Sequence, residues 1–229
     1  MHDRHIFIAT PTHDGNACAE YIRSMISTVA LMFRDGVSFT HSFCVGNALI
    51  HDARNRLVSW FMANEEATDI FFIDADLGWD PEAFLQLARS PHDVIGGAYP
   101  QKRDDREIYN VSGPKPTVTG LIEVDYLGTG FLKISRKAIE KLQEIHKDKQ
   151  YACPEGSPIY GLFEAPIENG MITGEDALFC RRWREAGGKV FLAPNISFQH
   201  VGRKAYHGNF AELAAREEKI MMSSKGEAA

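Results

Sequence analysis

Asp69-Ile70-Phe71-Phe72-Ile73-Asp74-Ala75-Asp76 is the stretch from which the rest of the chain is read. The continuous apolar run Ile70–Ile73 reads as a strand covered on both faces. Two carboxylates cannot be buried unpaired in that setting, so Asp74 and Asp76 mark the strand's C-terminal end. In open α/β sheets that end is where ligands bind. Residues two apart in extended chain point the same way, so both carboxylates can face one point. Together they form a hard oxygen site suited to Mg²⁺ or Mn²⁺. Helix capping or a solvated turn is the competing reading of the same spacing.

Outward from this strand, the flanking sequence alternates strand and helix signals. Ile6–Ala9 is a short apolar run ended by Thr10-Pro11. Ile22, Met25, Ile26, Val29 and Phe33 recur at helical spacing, Val37 to Val45 reads as a strand, and Leu49, Ala53, Leu57 and Phe61 mark a second helix. Asp80-Pro81-Glu82 opens a third, with Asp as N-cap and Pro at the first helical position. Val94-Ile95-Gly96-Gly97 is the next strand. This alternation predicts βαβ units, right-handed crossovers and a largely parallel sheet.

Beyond residue 100 the rhythm changes. Gln101 to Pro116 is polar and reads as a loop. Leu121–Val124 and Gly130–Ile134 are strand candidates around Gly128-Thr129-Gly130, and Ser135 caps a helix over Arg136–Ile145. His146 to Thr173 is weakly periodic, and a loop that long in a compact domain is usually functional or mobile. Glu175 to Ala186 reads as a helix ended by Gly187-Gly188, Lys189 to Ala193 as a strand, and Asn209 to Met222 as a helix. One domain over 1–222 with a flexible tail over 223–229 is expected.

Composition narrows the class. The 229 residues are 44% hydrophobic and 24% charged, ordinary globular usage that excludes a disordered chain. No apolar run approaches the roughly 18 residues of a membrane helix. Met1-His2-Asp3-Arg4 leads straight into an apolar strand, so no leader is visible. A net charge of −6 and a pI near 5.8 argue against a broad nucleic-acid surface, while leaving room for a local basic pocket. Cys18, Cys44, Cys153 and Cys180 are scattered without a CxxC pair and read as reduced thiols of a cytoplasmic protein.

Three further features carry candidate chemistry. Gly174-Glu175-Asp176 opens a predicted helix: its acids either favour the helix dipole or supply a general base. His200 follows a strand-like segment and is either a metal ligand or a structural imidazole. Gly128-Thr129-Gly130-Phe131 either permits close approach of backbone to a ligand or simply turns the chain.

Taken in order, Phe71-Phe72-Ile73-Asp74-Ala75-Asp76, Gly128-Thr129-Gly130-Phe131, Gly174-Glu175-Asp176 and His200 resemble the DxD, glycine-rich, xED and C-terminal His elements of GT-A fold glycosyltransferases, family-2-like in their compactness. The resemblance spans roughly residues 5 to 204. It implies an α/β, Rossmann-like domain with a mostly parallel mixed central sheet flanked by helices. A nucleotide-binding half lies over about 1–100, and an acceptor and catalytic half over about 101–205. It implies a metal-dependent transfer of sugar from a UDP- or GDP-sugar to a carbohydrate hydroxyl. Thr10, Pro11, Thr12, Arg54, Asp74, Ala75 and Gly130 would meet the donor. Asp76, His200 and Asp74 would hold Mn²⁺ or Mg²⁺. Asp176, supported by Glu175, would be the base of an inverting reaction. Arg203 and Lys204 would add positive charge beside the diphosphate, and Tyr99, Trp79 and Tyr160 are either sugar-stacking or packing aromatics.

Other classes fit less well. A nucleotidyltransferase usually carries a glycine-rich basic loop after the first strand, where this chain has Thr10-Pro11-Thr12-His13-Asp14-Gly15. A haloacid dehalogenase-type phosphatase places its DxD after the first strand, not the third. A nucleotide-sugar-binding domain without transfer activity shares every motif above.

Overall fold

The computed structural model describes residues 4–113, 120–152 and 158–226. Its elements run β1 (His5–Thr12), α1 (Ala19–Arg34), β2 (Ser38–Val45), α2 (Ile50–Ala63), β3 (Asp69–Ile73), β4 (Leu77–Trp79), α3 (Pro81–Ala88) and β5 (Val94–Gly96). There follow β6 (Val111–Ser112), β7 (Ile122–Val124), β8 (Tyr126–Leu127), β9 (Phe131–Ser135), α4 (Arg136–Ile145), β10 (Gln150–Ala152), β11 (Pro158–Tyr160), β12 (Ile167–Glu168) and β13 (Met171–Ile172). The chain closes with α5 (Glu175–Glu185), β14 (Val190–Leu192), β15 (Ser197–Val201), β16 (Ala205–Asn209) and α6 (Phe210–Gly226).

Local chemistry starts the helices. Asp80 caps α3 by accepting from the Glu82 N–H, with Pro81 at the first position, and Ser135 caps α4 by accepting from the Ala138 N–H. Cys18 caps α1 through its sulfur, which accepts from Tyr21 N–H at 3.3 Å.

The main sheet has seven strands in the order β2-β1-β3-β9-β5-β14-β7. β1 pairs parallel with β2 and β3, and β5 with β14. β9 is antiparallel to both β3 and β5, and β7 to β14. The sheet is therefore mixed: five strands share one direction, and β9 and β7 oppose them. β9 reverses because it enters the sheet at the end where β3 leaves it, the Asp74 N–H donating to Gly130 O at 3.0 Å.

Strand alternation divides the core. Phe7, Ile70, Phe72, Leu132 and Ile134 pack on one face with residues of α2, α4 and α5. Ile6, Ile8, Phe71, Ile73 and Phe131 pack on the other with α1 and α3. β3 is thus apolar on both faces because both are roofed by helices, and each buried Ile or Phe contributes about 1.5–3 kcal/mol.

Several short strands escape sequence patterning. β4, β15 and β16 form a separate three-stranded antiparallel sheet, and β6 pairs with β8. The His146–Thr173 segment, weakly periodic in sequence, carries the hairpins β10–β11 and β12–β13, with 153–157 outside the described residues. The C-terminal helix continues to Gly226, four residues into the expected tail; 227–229 lie outside the described residues, as do 114–116 of the polar loop. No helix among the described residues is long and apolar enough to cross a membrane.

Candidate active site

The paired aspartates sit in a turn fastened on three sides. Asp74 N–H donates to Gly130 O at 3.0 Å, Ala75 O accepts from Cys18 N–H at 2.9 Å, and Asp76 O accepts from Val201 N–H at 2.8 Å. β9, the start of α1 and the end of β15 thus fix one tripeptide, and Leu77 N–H closes the turn on Asp74 O at 3.1 Å.

β4 follows at once and pairs with β15 so that His200 lies opposite Leu77. This register carries the imidazole to the aspartate turn: His200 Nε2 stands 3.5 Å from Asp76 Oδ1. His200 Nδ1 lies 2.7 Å from Pro100 O, and a carbonyl only accepts, so Nδ1 carries the proton. That leaves Nε2 facing the carboxylate. Asp76 Oδ1 is buried and makes no hydrogen bond, whereas Oδ2 receives Lys102 Nζ. Burial raises the Asp76 carboxyl, but His200 and Lys102 outweigh it and hold the group below its usual range.

Asp74 turns elsewhere. Its Oδ1 accepts from Arg54 Nη2 at 3.2 Å, and Arg54 Nε reaches Glu175 Oε1 at 3.4 Å. Arg54 is only 3% exposed, on the inward face of α2, and its Nη1 is buried without a hydrogen bond. Burial opposes its charge, and Asp74 with Glu175 more than restores it. Burial also raises the Asp74 carboxyl, more than Arg54 lowers it. One guanidinium therefore joins the end of β3 to the start of α5.

Asp176 follows Glu175 in the first turn of α5, whose N-cap Gly174 offers no side chain. Asp176 Oδ2 accepts from the Tyr126 hydroxyl at 3.1 Å and Oδ1 from Ala177 N–H at 2.8 Å. Burial first, then the like charge of Glu175, raise its carboxyl above the usual range, against the pull of Arg54. Gly130 closes the site from below. Its N–H donates to the Tyr99 hydroxyl at 3.0 Å, and a Cβ there would lie 2.5 Å from Asp74 Oδ2 and 2.6 Å from the Tyr99 oxygen. Only glycine fits this approach.

Beside the aspartates opens a cleft of about 500 Å³ lined by Pro11, Thr12, Arg54, Asp74, Ala75 and Asp76, among others. Thr12 Oγ donates to Asn16 O at 2.8 Å, shaping the loop after β1.

A scan of the sequence against protein-family models and a search of curated proteins give no match. Among solved structures, A197 from STIV superposes with a TM-score of 0.53 at 16% identity, over 87% of this chain and 86% of that one. The catalytic domain of Drosophila β1,4-galactosyltransferase 7, complexed with xylobiose, gives 0.52 at 17% identity over 87% and 71%. A variant of that protein complexed with manganese, UDP-Gal and xylobiose gives the same values. The chain has the GT-A fold.

Several sequence expectations change once placed on the GT-A scaffold. Thr10 is 0% exposed, and its hydroxyl is bonded to Tyr21 Oη at 2.6 Å and His41 Nε2 at 3.2 Å, so it stiffens the wall behind Thr12 instead of facing the cleft. Asp74 Oδ1 is engaged by Arg54, which sets that oxygen apart from the Asp76–His200 pair. Lys204 pairs with Asp104 and Arg203 is exposed; the cation on Asp76 is Lys102, which the polar loop composition did not single out. Trp79 and Tyr99 are core residues, Trp79 Nε1 donating to Thr28 Oγ at 3.0 Å, while Tyr160 is half-buried in β11.

No group of three or more His, Cys, Asp or Glu side chains gathers in metal-holding geometry among the described residues. The fit to a divalent cation is instead a two-residue one: the unbonded Asp76 Oδ1 and the inward Nε2 of a His whose other nitrogen is anchored to a carbonyl. Mg²⁺ and similar ions characteristically take one or two protein ligands and complete their shell with substrate phosphates and water.

Proposed function

We propose that this protein transfers a sugar from a nucleoside-diphosphate sugar to a carbohydrate hydroxyl, with inversion. The observation that carries the reading is the β4–β15 register, which sets His200 Nε2 3.5 Å from the unbonded Asp76 oxygen at the edge of a cleft of about 500 Å³. The GT-A fold supports it, as does the manganese and UDP-Gal complex of a structural neighbour.

In this reading Pro11, Thr12 and Ala75 line the place of the nucleoside, and Asp76 with His200 would hold the cation. Bound there, a divalent cation neutralises charge on the departing diphosphate. Arg54 keeps Asp74 and Glu175 in register, with its free Nη1 available to an oxygen of the bound substrates. Asp176 accepts the proton of the attacking hydroxyl. Its raised carboxyl makes it a stronger base than a solvated aspartate, and Tyr126 fixes its orientation through Oδ2. General-base catalysis supplies about 10²–10⁴-fold, and alignment of the two substrates supplies much of the rest.

The test is Asp176→Asn. We expect Mn²⁺-dependent UDP binding, read by calorimetry, to persist while transfer from a screened panel of UDP- and GDP-sugars falls at least 10²-fold. Near-normal turnover would remove Asp176 from the role of base. Nucleotide binding by the unaltered protein without donor consumption under any acceptor would favour a binding domain over an enzyme.

A further inference from the structure

Asp76, which lines the cleft, is met by a cation that none of the sequence motifs supplies. Lys102 belongs to the segment between β5 and β6, and its ammonium lies on Asp76 Oδ2. The placement is built from several sides. The lysine stem passes Gly202, where a Cβ would stand 3.0 Å from Lys102 Cδ. The segment is tied to the β15–β16 turn by Lys204 on Asp104, and Pro100 O accepts from His200 Nδ1 at 2.7 Å. The same turn is closed by Gly202 N–H on Lys204 O at 2.8 Å. Asp74 differs, its Oδ1 being held by Arg54.

A divalent cation on Asp76 and a lysine on the same carboxylate repel each other. Lys102 is the member able to leave, being 34% exposed on a flexible four-carbon stem, whereas its loop is fastened. An ammonium displaced from Asp76 remains within stem reach of whatever the cation coordinates, and a lysine binds phosphate oxygens as a point charge.

We propose that Lys102 is a diphosphate ligand that caps Asp76 until a divalent cation takes that carboxylate, and then turns to the phosphates the cation carries. This rests on the donor-site reading above. It predicts effects of opposite sign from one substitution. Lys102→Met keeps the stem against Gly202 and removes the charge. Without nucleotide, Mn²⁺ titrated alone, followed by electron paramagnetic resonance, should bind about two- to fivefold more tightly, the range of a partly exposed ion pair. With Mn²⁺ saturating, UDP should bind about two- to fivefold more weakly by calorimetry. Lys102→Arg, which keeps the charge, should move toward the unaltered protein in the UDP measurement.

Weakening of both affinities, or change in neither, overturns the proposal and assigns Lys102 a structural role. Asp76→Asn, run in parallel, separates this failure from failure of the site itself. Loss of Mn²⁺ binding in Asp76→Asn beside an unresponsive Lys102→Met sinks only the lysine. Mn²⁺ binding that survives Asp76→Asn, or is absent from every variant, sinks the donor site and the lysine with it.

Discussion

Asp176 carries a conflict that a folded protein tolerates only for a reason. Burial and the neighbouring Glu175 raise its carboxyl above the value of a free aspartate. A carboxyl raised in the fold binds its proton more tightly folded than unfolded. Its favourable contribution is therefore present at pH below the unfolded value and disappears as pH rises through the folded one. At neutral pH the ionised side chain opposes folding. Asp176→Asn, which keeps an acceptor for Tyr126, should consequently raise the melting temperature at pH 7.5. The gain should shrink as pH falls through the folded value of the carboxyl and vanish below the free-aspartate range. Thermal melts at pH 7.5 and below that range check this, and a variant that melts lower than the unaltered protein at pH 7.5 contradicts it. The acidic residues of the site were legible as residues, because an apolar strand cannot contain the DAD carboxylates and a helix start favours Glu175 and Asp176. Of their partners, Arg54 entered only through the family resemblance, His200 was set beside Asp76 only by it, and Lys102 and Tyr126 entered not at all. Nothing in a one-dimensional reading tells that Arg54 faces inward on α2, since an arginine among Ala53, Asn55 and Leu57 fits a surface stripe as well as a buried one. The engagement of Asp74 Oδ1 by that guanidinium followed from the same blind spot.

At the scale of elements, patterning decides what a sequence reveals. β3, α1, α2 and α4 are strongly patterned, and their residues announce them. β4 (Leu77–Trp79) runs on directly from the aspartate turn and β15 (Ser197–Val201) mixes Ser, Gln and His with apolar residues, so neither shows an apolar run, although their pairing is what sets His200 opposite Leu77. The direction of β9 is also silent in sequence, because a strand's apolar pattern reads alike in both directions. Its reversal has a structural cost at Gly130. There the backbone passes so near Asp74 and Tyr99 that a methyl group would overlap both oxygens. Tyr99 is buried and Asp74 is held by Arg54, so neither yields freely. Gly130→Ala should destabilise the protein by about 1–3 kcal/mol, as overpacking does, lowering the melting temperature by several degrees. It should also weaken nucleotide binding by displacing Asp74, whereas Gly36→Ala, at a positive-φ turn with open space around it, should lower stability and leave binding unchanged. Melting curves and UDP titration of the two variants distinguish a site glycine from a turn glycine.

For the whole molecule, the mixed sheet depends on one charge at its centre. β9 joins β3, which ends at the aspartates, to β5, and so connects the two halves of the sheet. In the middle of β9 stands Lys133, 1% exposed, its ammonium 3.2 Å from Asp69 Oδ1 and 2.9 Å from Ser90 O. Asp69 also accepts from Thr68 Oγ at 2.8 Å and has Arg4 at 3.7 Å. Burial lowers the lysine, and Asp69 only partly offsets this, so the pair is a costly substitute for apolar packing. Yet it specifies register, because sliding β9 by one residue would carry an ammonium from its carboxylate to the opposite, apolar face. Lys133→Met should therefore cost about 3–5 kcal/mol, the penalty of a buried charge left with a weakened partner set. Adding Asp69→Asn removes the stranded charge and should recover part of that loss, a non-additivity that urea denaturation at pH 7 measures directly. Independent, additive effects of the two substitutions would mean that the ion pair does not join β3 to β9. Sheet order would then have to come from Phe71, Phe131 and the other apolar residues alone.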